Sequence, residues 1–288
     1  MNGILIVNKP LGYTSRDVVN LVSKNLCTKK VGHTGTLDPK ASGVLVLCLG
    51  NALKMCELMD NYDKEYIAEV VLGIETDTLD MDTNATIIRE EKVNIDTKEI
   101  ISVVNSFRGK YMQQVPIYSA VKVNGRKLYE YARSNIPVEL PFKEVEIKDI
   151  EILDDINYKD GKVFFKIKTT VSKGTYIRAL IRDIGNKLNI PAVMNSLVRT
   201  RIGIFKLDNS YTLEDISNEN YKLLGIMEAF PEIKRITVDN DLAFKVKNGV
   251  ILDKLFDDDM VFITDKDNNL LALYKNINNK SRPYKMFI

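Results

Sequence analysis

The sequence predicts an α+β protein of 288 residues, with a large N-terminal part followed by a small β module. Apolar or β-branched residues recur at every second position over 163–171, which is the period of a half-buried strand. An apolar stripe over 177–188 recurs every three or four residues, as in an amphipathic helix. After Pro231 the chain contains short strand-like runs separated by Asp, Asn and Gly, which favours an all-β module over 234–288.

The N-terminal end of the chain predicts a strand, a helix and a loop in that order. The apolar run Ile4–Val7 indicates a strand that ends at a turn containing Pro10. Thr14 or Ser15 is expected to cap the next helix, because its hydroxyl can accept a hydrogen bond from a free backbone N–H. A loop rich in Gly and Thr then leads to the apolar run 43–50, which is typical of a buried strand or the start of a short helix.

The remaining elements follow from shorter signals. They are a strand over 66–72, a hairpin turn at Asn124-Gly125, and a helix capped by Thr212 with Asp215 that runs to about Phe230. The segment 113–133 around the hairpin combines basic residues with tyrosines, which is typical of a flap that grips nucleic acid. An ordinary surface hairpin is the alternative.

The composition excludes several kinds of site. The three cysteines lack C-x-x-C spacing and His33 is the one histidine, so we expect neither a disulfide framework nor a metal centre. No phosphate-loop or dinucleotide motif occurs, so no nucleotide cofactor is expected. The apolar run 44–49 is too short to span a bilayer, and the N-terminus lacks a basic leader region. We therefore expect a soluble, cytoplasmic protein without membrane contacts.

Charge is distributed unevenly although the net charge is only +2. Basic residues exceed acidic ones in segments 1–56, 106–143 and 172–206, and the segments between them are acidic. If the three basic segments converge in the fold, they form the positive face expected for binding a polyanion. A mixed surface with chance clustering is the alternative.

Asp38 is the carboxylate best suited to chemistry. It lies between Leu37 and Pro39 on a glycine-containing loop, and a partly desolvated carboxylate on a rigid loop can act as nucleophile or general base. Local turn hydrogen bonds are the alternative for Asp38. Arg178 lies at the entry to the helix over 177–188 and can pair with a carboxylate or a phosphate there.

Five stretches of the chain carry distinctive residue combinations. In order, they are GHTGTLDP (32–39) with ASGVL (41–45), KEY (64–66) with Gly73 and TDT (76–78), YSAVKVNG (118–125) with YEYAR (129–133), SKGTYIR (172–178), and LVRTR (197–201). Together they resemble the TruB family of bacterial tRNA pseudouridine synthases, over roughly residues 1–233. The resemblance implies a mixed β-sheet flanked by helices, with a C-terminal RNA-binding module of PUA type.

The resemblance also implies a division of the chain. Residues 1–233 form the pseudouridine synthase catalytic domain, and within it 108–140 form an insertion that closes over the T arm of tRNA. Residues 234–288 form the small PUA-like module. The activity implied is isomerisation of uridine 55 in the T loop to pseudouridine, an intramolecular transfer that needs no cofactor and no metal.

Individual roles follow from the same resemblance. Asp38 is the catalytic aspartate, Arg178 pairs with it, and Tyr66 stacks on the flipped uracil and can relay a proton. His33, Tyr176 and Leu197 surround the flipped nucleotide, together with Tyr66. We expect RNA contacts from five basic residues, namely Lys122, Arg126, Lys127, Arg199 and Arg201.

The chemistry suits these residue types and leaves alternatives open. The target base must leave its stack before an enzyme can reach it. The aspartate can add to the base or assist departure from C1′. The expected partner is tRNA alone, bound by a monomer without a guide RNA or an obligate protein. A non-catalytic tRNA-binding or tRNA-folding protein and a pseudouridine synthase for another RNA are the alternatives.

Overall fold

A computed structural model describes residues 1–81, 85–153 and 155–287. The helices are α1 Ser15–Asn25, α2 Cys56–Met59, α3 Thr97–Asn105, α4 Leu128–Arg133, α5 Ile177–Leu188, α6 Leu213–Ser217 and α7 Asn240–Lys247. The first eleven strands are β1 Gly3–Lys9, β2 Val31–Thr34, β3 Ala41–Leu49, β4 Lys64–Leu72, β5 Ile74–Thr76, β6 Ile87–Glu90, β7 Gly109–Gln114, β8 Lys122–Val123, β9 Arg126–Lys127, β10 Phe142–Ile152 and β11 Asn157–Lys159. The others are β12 Lys162–Val171, β13 Ala192–Ile202, β14 Phe205–Lys206, β15 Arg235–Thr237, β16 Leu252–Asp253, β17 Met260–Thr264, β18 Leu270–Ile277 and β19 Lys280–Met286. In this described part of the chain, no helix is both long and apolar enough to cross a bilayer.

The main sheet has ten strands, and its central order is β1-β3-β13-β4-β12-β10-β7. Neighbouring strands along this order are antiparallel except β3 and β13, which run parallel and place Leu197 opposite Ala41. The sheet is therefore mixed, as predicted. The parallel pair brings the middle of β13 next to the chain that has just left the Asp38 loop, and β4 adds Tyr66 opposite Arg199 on the other side.

The strand and helix predicted with the clearest periodicity pack on each other. On β12, every second residue from Val163 to Val171 is buried, as the alternation predicted. The α5 residues Ile177, Leu180, Ile181, Ile184 and Leu188 are buried in the same core cluster. Burial of each such aliphatic side chain stabilises the fold by about 1.5–3 kcal/mol. This packing fixes the direction in which α5 leaves the end of β12.

Two open points at the N-terminal end are settled by the structure. Thr14 is the N-cap of α1, where its hydroxyl accepts a hydrogen bond from the Asp17 N–H and the Asp17 carboxylate accepts one from the Thr14 N–H. The apolar run after Gly43 is a strand, β3, which pairs with β1 over seven residues. Its alternative, the start of a helix, is wrong.

The helix predicted from Thr212 is much shorter than expected. Thr212 and Asp215 form the predicted capping box, but α6 ends at Ser217, not near Phe230. Glu219 adopts a left-handed backbone conformation with φ 57°, which ends the helix. The chain then pairs with the sheet edge, because Leu224 and Ile4 exchange two backbone hydrogen bonds of 2.9 Å.

The C-terminal module is β-rich but not all-β. Its five strands follow the order β15-β17-β18-β19-β16, and the sequence pattern missed both α7 and β19. Asp239 caps α7 by accepting a hydrogen bond of 2.8 Å from the Leu242 N–H. From the sequence, the Asp and Asn residues there are interpreted as loop residues between strands. The same residue types are equally suited to the N-terminus of a helix.

The module shares a hydrophobic core with the main sheet. Phe262 and Leu273 of the module belong to one buried cluster with Ile6 and Phe230. The rings of Phe262 and Phe230 are 6.4 Å apart in an edge-on arrangement. Because this core is continuous, unfolding of the module is expected to expose apolar surface of the main body as well.

Replacement of Phe262 with Ala tests this shared core. We expect Phe262→Ala to lower the free energy of unfolding by about 3–5 kcal/mol, because it removes a fully buried ring and leaves a cavity. Phe244→Ala is the matched control, since Phe244 lies on the same module and is 71% exposed. Its effect should stay within about 0.5 kcal/mol in urea unfolding. A separate early transition in Phe262→Ala, with the main transition unchanged, would contradict the shared core.

Candidate active site

The Asp38 loop is clamped to the protein from several directions. The Ser15 hydroxyl accepts a hydrogen bond of 2.9 Å from the Leu37 N–H and donates one of 3.2 Å to the Leu37 carbonyl. The Pro39 carbonyl accepts a hydrogen bond of 2.8 Å from the Gly12 N–H. Lys9 is fully buried and its Nζ donates to the carbonyls of Pro10 and Tyr13, which fixes this turn beside the loop.

Arg199 supports the Asp38 loop through hydrogen bonds to backbone carbonyls. It is 1% exposed, and its guanidinium donates to the carbonyls of Val44 and Gly35, each at 2.8 Å. Close approach of β3 to β13 at this point requires a glycine. A Cβ on Gly43, whose φ is +102°, would lie 2.2 Å from the Arg199 carbonyl oxygen.

Arg178 links Asp38 to two other segments. Its Nη2 lies 2.9 Å from Asp38 Oδ2 and also donates to the Tyr118 carbonyl at 3.0 Å, while Nη1 donates to the Thr78 carbonyl at 2.9 Å. Asp80 Oδ2 lies 4.0 Å from Nη1. The Arg178 side chain is 9% exposed, whereas the Asp38 side chain is 47% exposed. The carboxylate is thus oriented by a buried cation and still open to a ligand.

These groups surround a cavity of about 540 Å³, a volume within the range of small-ligand sites. The predicted residues that line it are His33, Asp38, Tyr66, Tyr176, Arg178, Leu197 and Arg199. Tyr66 and Leu197 are each 8% exposed and come from the neighbouring strands β4 and β13, so they give the cavity an apolar wall. Site residues predicted from four separate stretches of sequence therefore meet in one place.

Burial changes the pKa of several ionisable groups in and beside the cavity. Burial lowers the pKa of Lys64 to about 8 and that of Lys9 to about 8, although Asp60 and Asp38 respectively oppose the change. Burial, with the nearby cations Arg16 and Arg199, also lowers the pKa of His33, so its imidazole is neutral at pH 7. Burial raises the pKa of Tyr176, which stays a neutral phenol. Among the described residues, His33 Nδ1 is buried and has no hydrogen-bond partner.

Sequence reasoning missed several residues of the site. The Ser15 side chain binds backbone groups of the loop, and the Lys9 side chain binds backbone carbonyls of the turn beside it. Such contacts leave no pattern in the sequence. Lys64 carries a usable signal, because it occupies the same alternating face of β4 as Tyr66 and Ala68. A lysine at a position that alternation assigns to the interior indicates a cation enclosed at a site. Within the described residues, no three His, Cys, Asp or Glu side chains are grouped to hold a metal ion.

The residues predicted to bind RNA lie in different places. Lys122, Arg126 and Lys127 flank the hairpin turn of β8 and β9, outside the cavity wall. The Arg126 guanidinium lies 5.1 Å from the centre of the Tyr131 ring. Arg201 is partly exposed on β13 and lies 3.8 Å from the Glu65 carboxylate. The guanidinium of Arg199, which is also predicted to bind RNA, is enclosed under the Asp38 loop and lines the cavity.

Comparisons of sequence extend over most of the chain. Residues 23–177 match the model for "TruB family pseudouridylate synthase (N terminal domain)", and 178–225 match that for "tRNA pseudouridylate synthase B C-terminal domain". A "tRNA pseudouridine synthase B" of Bacillus licheniformis is 43% identical over 258 residues, covering 88% of this chain and 84% of that protein. Proteins of the same name from Bacillus subtilis and Clostridium tetani are 39% and 41% identical. They cover 95% and 93% of this chain, and 93% of each relative.

Comparisons of structure show the same fold in larger assemblies. A chain in "Structure of H/ACA RNP bound to a substrate RNA containing 2'-deoxyuridine" matches with a TM-score of 0.71 and 24% identity, over 99% of this chain and 85% of that one. A chain in "Crystal Structure of a Cbf5-Nop10-Gar1 Complex" matches with a TM-score of 0.71 and 25% identity, over 99% and 84%. The likeness includes the C-terminal β-rich module.

The position of Arg199 is tested by the salt dependence of RNA binding. We expect Arg199→Met to leave the slope of log K against log salt unchanged, because an enclosed guanidinium releases no counterion from a phosphate. Lys122→Ala is the comparison, since an exposed lysine on a phosphate should reduce the slope by about 1. Filter binding of tRNA at KCl concentrations of about 50 to 300 mM measures the slope for each variant. A reduced slope in Arg199→Met would show that Arg199 contacts an RNA phosphate directly.

Proposed function

The chain belongs to the TruB family of pseudouridine synthases, and on that basis we propose that it isomerises uridine 55 in the T loop of tRNA to pseudouridine. Its relatives are named for forming pseudouridine in tRNA, and this chain is an enzyme of that activity. The observation that carries the assignment to a site is the Asp38 carboxylate. It is half exposed in the cavity and lies 2.9 Å from the enclosed Arg178 guanidinium.

The reaction breaks the N-glycosidic bond of uridine, turns the base and rejoins it to C1′ through C5. It exchanges no electrons with another molecule and transfers no group to one, so side chains alone suffice. Asp38 is the reacting carboxylate and Arg178 holds it in a fixed orientation. Positioning of this kind lowers a barrier because the reacting atoms lose less freedom in the transition state.

The cavity wall suits a flipped pyrimidine. A uridine inside a folded loop must be extruded before its C5 and C1′ are accessible. Tyr66 offers an aromatic face on which uracil can stack, and Leu197 on the adjacent strand continues the apolar wall. His33 and Tyr176 stand around the same space as neutral hydrogen-bonding groups. In this proposal Tyr66 also relays a proton once the base has turned.

The insertion is the proposed grip on the T arm. Within 108–140, Lys122, Arg126 and Lys127 present cations beside Tyr129 and Tyr131, and the Arg133 guanidinium lies 5.4 Å from the Tyr129 ring centre. Such pairs of cations and rings suit phosphates and unstacked bases. Arg201 adds a further cation on β13 beside the cavity wall. Residues 1–233 then act as the catalytic domain and 234–288 as a PUA-like RNA-binding module.

We propose that the protein acts as a monomer, without a guide RNA or an obligate protein partner, in the cytoplasm where tRNA is found. Relatives named for tRNA alone align over nearly their whole length with this chain. The solved neighbours named above are described as parts of H/ACA and Nop10-Gar1 assemblies, and their likeness concerns the fold. A non-catalytic tRNA-binding protein is not favoured, because binding alone does not require a carboxylate aimed at a polyanion.

Replacement of Asp38 tests the proposed reaction. We expect Asp38→Asn to release no tritium from tRNA transcript labelled at uracil C5, because the amide cannot act as the reacting carboxylate. Affinity for tRNA should change by less than about threefold, since the carboxylate contributes no attraction to phosphate. The assay contains only the purified protein and tRNA, so turnover by the parent also tests independence from other components.

The matched control is Asp60→Asn, because Asp60 also lines the cavity but lies outside the Arg178 ion pair. It should retain turnover, and pseudouridine mapping should place the product at the T-loop uridine. Turnover in Asp38→Asn would remove Asp38 from the reaction. Binding by the parent without tritium release would favour the binding-protein alternative.

Lys64 predicts a pH dependence of binding. Its pKa of about 8 results from burial, with Arg199 and Lys173 opposing the charge and Asp60 and Asp63 favouring it. The ammonium is therefore charged at pH 7 and neutral at pH 9, so attraction to RNA is lost as pH rises through 8. We expect the Kd for tRNA to rise by about three- to tenfold between these values at constant ionic strength.

Two variants separate Lys64 from the other lysines. Lys64→Met should show a flatter pH profile of binding than the parent. Lys122→Ala, which removes an exposed lysine, should weaken tRNA binding at both pH values. The change in its Kd between pH 7 and pH 9 should equal that of the parent. An unchanged profile in Lys64→Met would show that Lys64 does not contribute its charge to RNA binding.

A further inference from the structure

Gln113 is a polar side chain in the interior, next to the active site but outside the cavity. It lies on β7 opposite Lys143 of β10 and is 1% exposed. A buried amide must satisfy its donors and its acceptor within the protein. Gln113 Oε1 accepts a hydrogen bond of 2.8 Å from the Tyr176 N–H, and Nε2 donates to the Tyr176 carbonyl at 3.2 Å and to the Tyr111 hydroxyl at 2.6 Å.

The amide of Gln113 therefore grips both backbone groups of Tyr176. Tyr176 is the N-cap of α5, where backbone N–H groups lack partners within the helix. The Tyr176 side chain makes no capping hydrogen bond to the described residues of α5, and the Tyr176 N–H is bound instead by the Gln113 side chain on β7. The two contacts fix the plane of the peptide groups on either side of Tyr176, and with them the direction of its ring.

The same grip reaches Arg178 through the first turn of α5. The Tyr176 carbonyl also accepts the Leu180 N–H at 2.9 Å, which is the first hydrogen bond of that helix. Arg178 lies in this turn and donates to the Tyr118 carbonyl, five residues beyond Gln113 on the same segment. Segment 113–118 is thus attached to segment 176–178 at both ends.

We propose that Gln113 is a positioning residue for the pseudouridine synthase reaction. It holds Tyr176 and the first turn of α5 so that the Arg178 guanidinium meets Asp38, and it couples the root of the insertion to the reacting carboxylate. Gln113 touches neither substrate nor the reacting atoms in this arrangement. The kinetic part of the inference rests on the proposed function, whereas its structural part does not.

A competing explanation is that Gln113 only supports a neighbouring polar network. The Tyr111 hydroxyl lies 3.3 Å from Asp183 Oδ2, and Asp183 in turn pairs with Arg182 at 2.8 Å. If this network were the purpose of Gln113, removal of the Tyr111 hydroxyl would have the same effect as removal of the amide. Tyr111→Phe breaks that link and leaves both contacts between Gln113 and Tyr176 intact.

The kinetic test compares Gln113→Met with Gln114→Met. Methionine has nearly the length of glutamine without its amide. Gln114 is the matched control, because it is the next residue on β7, is only half-buried, and contacts Arg182 through its backbone carbonyl. We expect Gln113→Met to lower the single-turnover rate constant at saturating tRNA about 10- to 100-fold, the effect of a shift on the order of 1 Å. The Kd for tRNA should change less than about threefold, and Gln114→Met should behave as the parent.

The rate constant distinguishes positioning from loss of fold. A merely structural role lowers the amplitude of the single turnover, which counts active molecules, and leaves their rate constant unchanged. Gln113→Glu is the second variant, because its carboxyl keeps an acceptor for the Tyr176 N–H and, when protonated, a donor for the Tyr176 carbonyl. Since ionisation would bury an unpaired charge, Gln113→Glu is expected to be faster at pH 6 than at pH 8 relative to the parent, by about threefold or more, whereas Gln113→Met should show no such difference. A rate constant in Gln113→Met within threefold of Gln114→Met, or an equal loss in Tyr111→Phe, would overturn the proposal.

Amide hydrogen exchange tests the structural part without RNA. The Tyr176 N–H should exchange faster in Gln113→Met than in the parent, and at the parent rate in Gln114→Met. If Gln113→Met speeds exchange of the Tyr176 N–H but the parent protein releases no tritium from labelled tRNA, the contact between Gln113 and Tyr176 is supported and the proposed reaction is refuted. If the parent protein turns over tRNA but Gln113→Met leaves the exchange rate unchanged, only the role of Gln113 is refuted.

Discussion

The contacts of the Arg178 guanidinium are the constraint on which the site depends. A guanidinium that is nine-tenths enclosed is tolerated only when its donors are satisfied, because an unpaired buried charge costs several kcal/mol. Its partners here are Asp38, the Tyr118 carbonyl and the Thr78 carbonyl, which belong to three distant parts of the chain. Folding that satisfies Arg178 therefore also brings the reactive loop, the insertion and the segment after β5 together. The site is assembled by the same energy that makes the arginine acceptable in the interior.

A second arginine gives the loop its other support. Arg199 reaches the Asp38 loop through the carbonyls of Gly35 and Val44, from a strand that runs parallel to β3. Gly43 permits the close approach of the two strands. Arg199 thus binds the backbone of the loop, and Arg178 binds its carboxylate. This arrangement explains why so many cations surround a small cavity. Burial, with Arg199 as a nearby cation, lowers the pKa values of Lys9 and Lys64 in this enclosed space.

The sequence predicted those features that depend on local periodicity or on a distinctive motif. The alternation over β12 and the stripe of α5 determine which face is buried, so both were correct residue by residue. It failed where the outcome depends on a tertiary partner. Arg199 and Arg201 have the same local pattern on β13, and only the loop lying against the first one decides that it is enclosed. The end of α6 was wrong for a similar reason, because pairing of Leu224 with Ile4 competes with continuation of the helix. The grip of Gln113 on Tyr176 joins residues 63 positions apart and has no local signature.

Segment 113–118 contacts α5 through backbone carbonyls at two of its positions. Tyr118 and Gln114 offer carbonyl oxygens to Arg178 and Arg182, so these contacts survive most changes of side chain at the two positions. Gln113 differs, because its own amide makes the contact with Tyr176. Side chains of the surface hairpin can therefore vary while the attachment of segment 113–118 to the Asp38 site stays constant. On the proposed function, binding of the T arm by the hairpin and orientation of the Asp38 carboxylate are linked through one short segment, 113–118. Displacement of segment 113–118 would disturb the contact between the Tyr118 carbonyl and Arg178, and with it the orientation of Asp38.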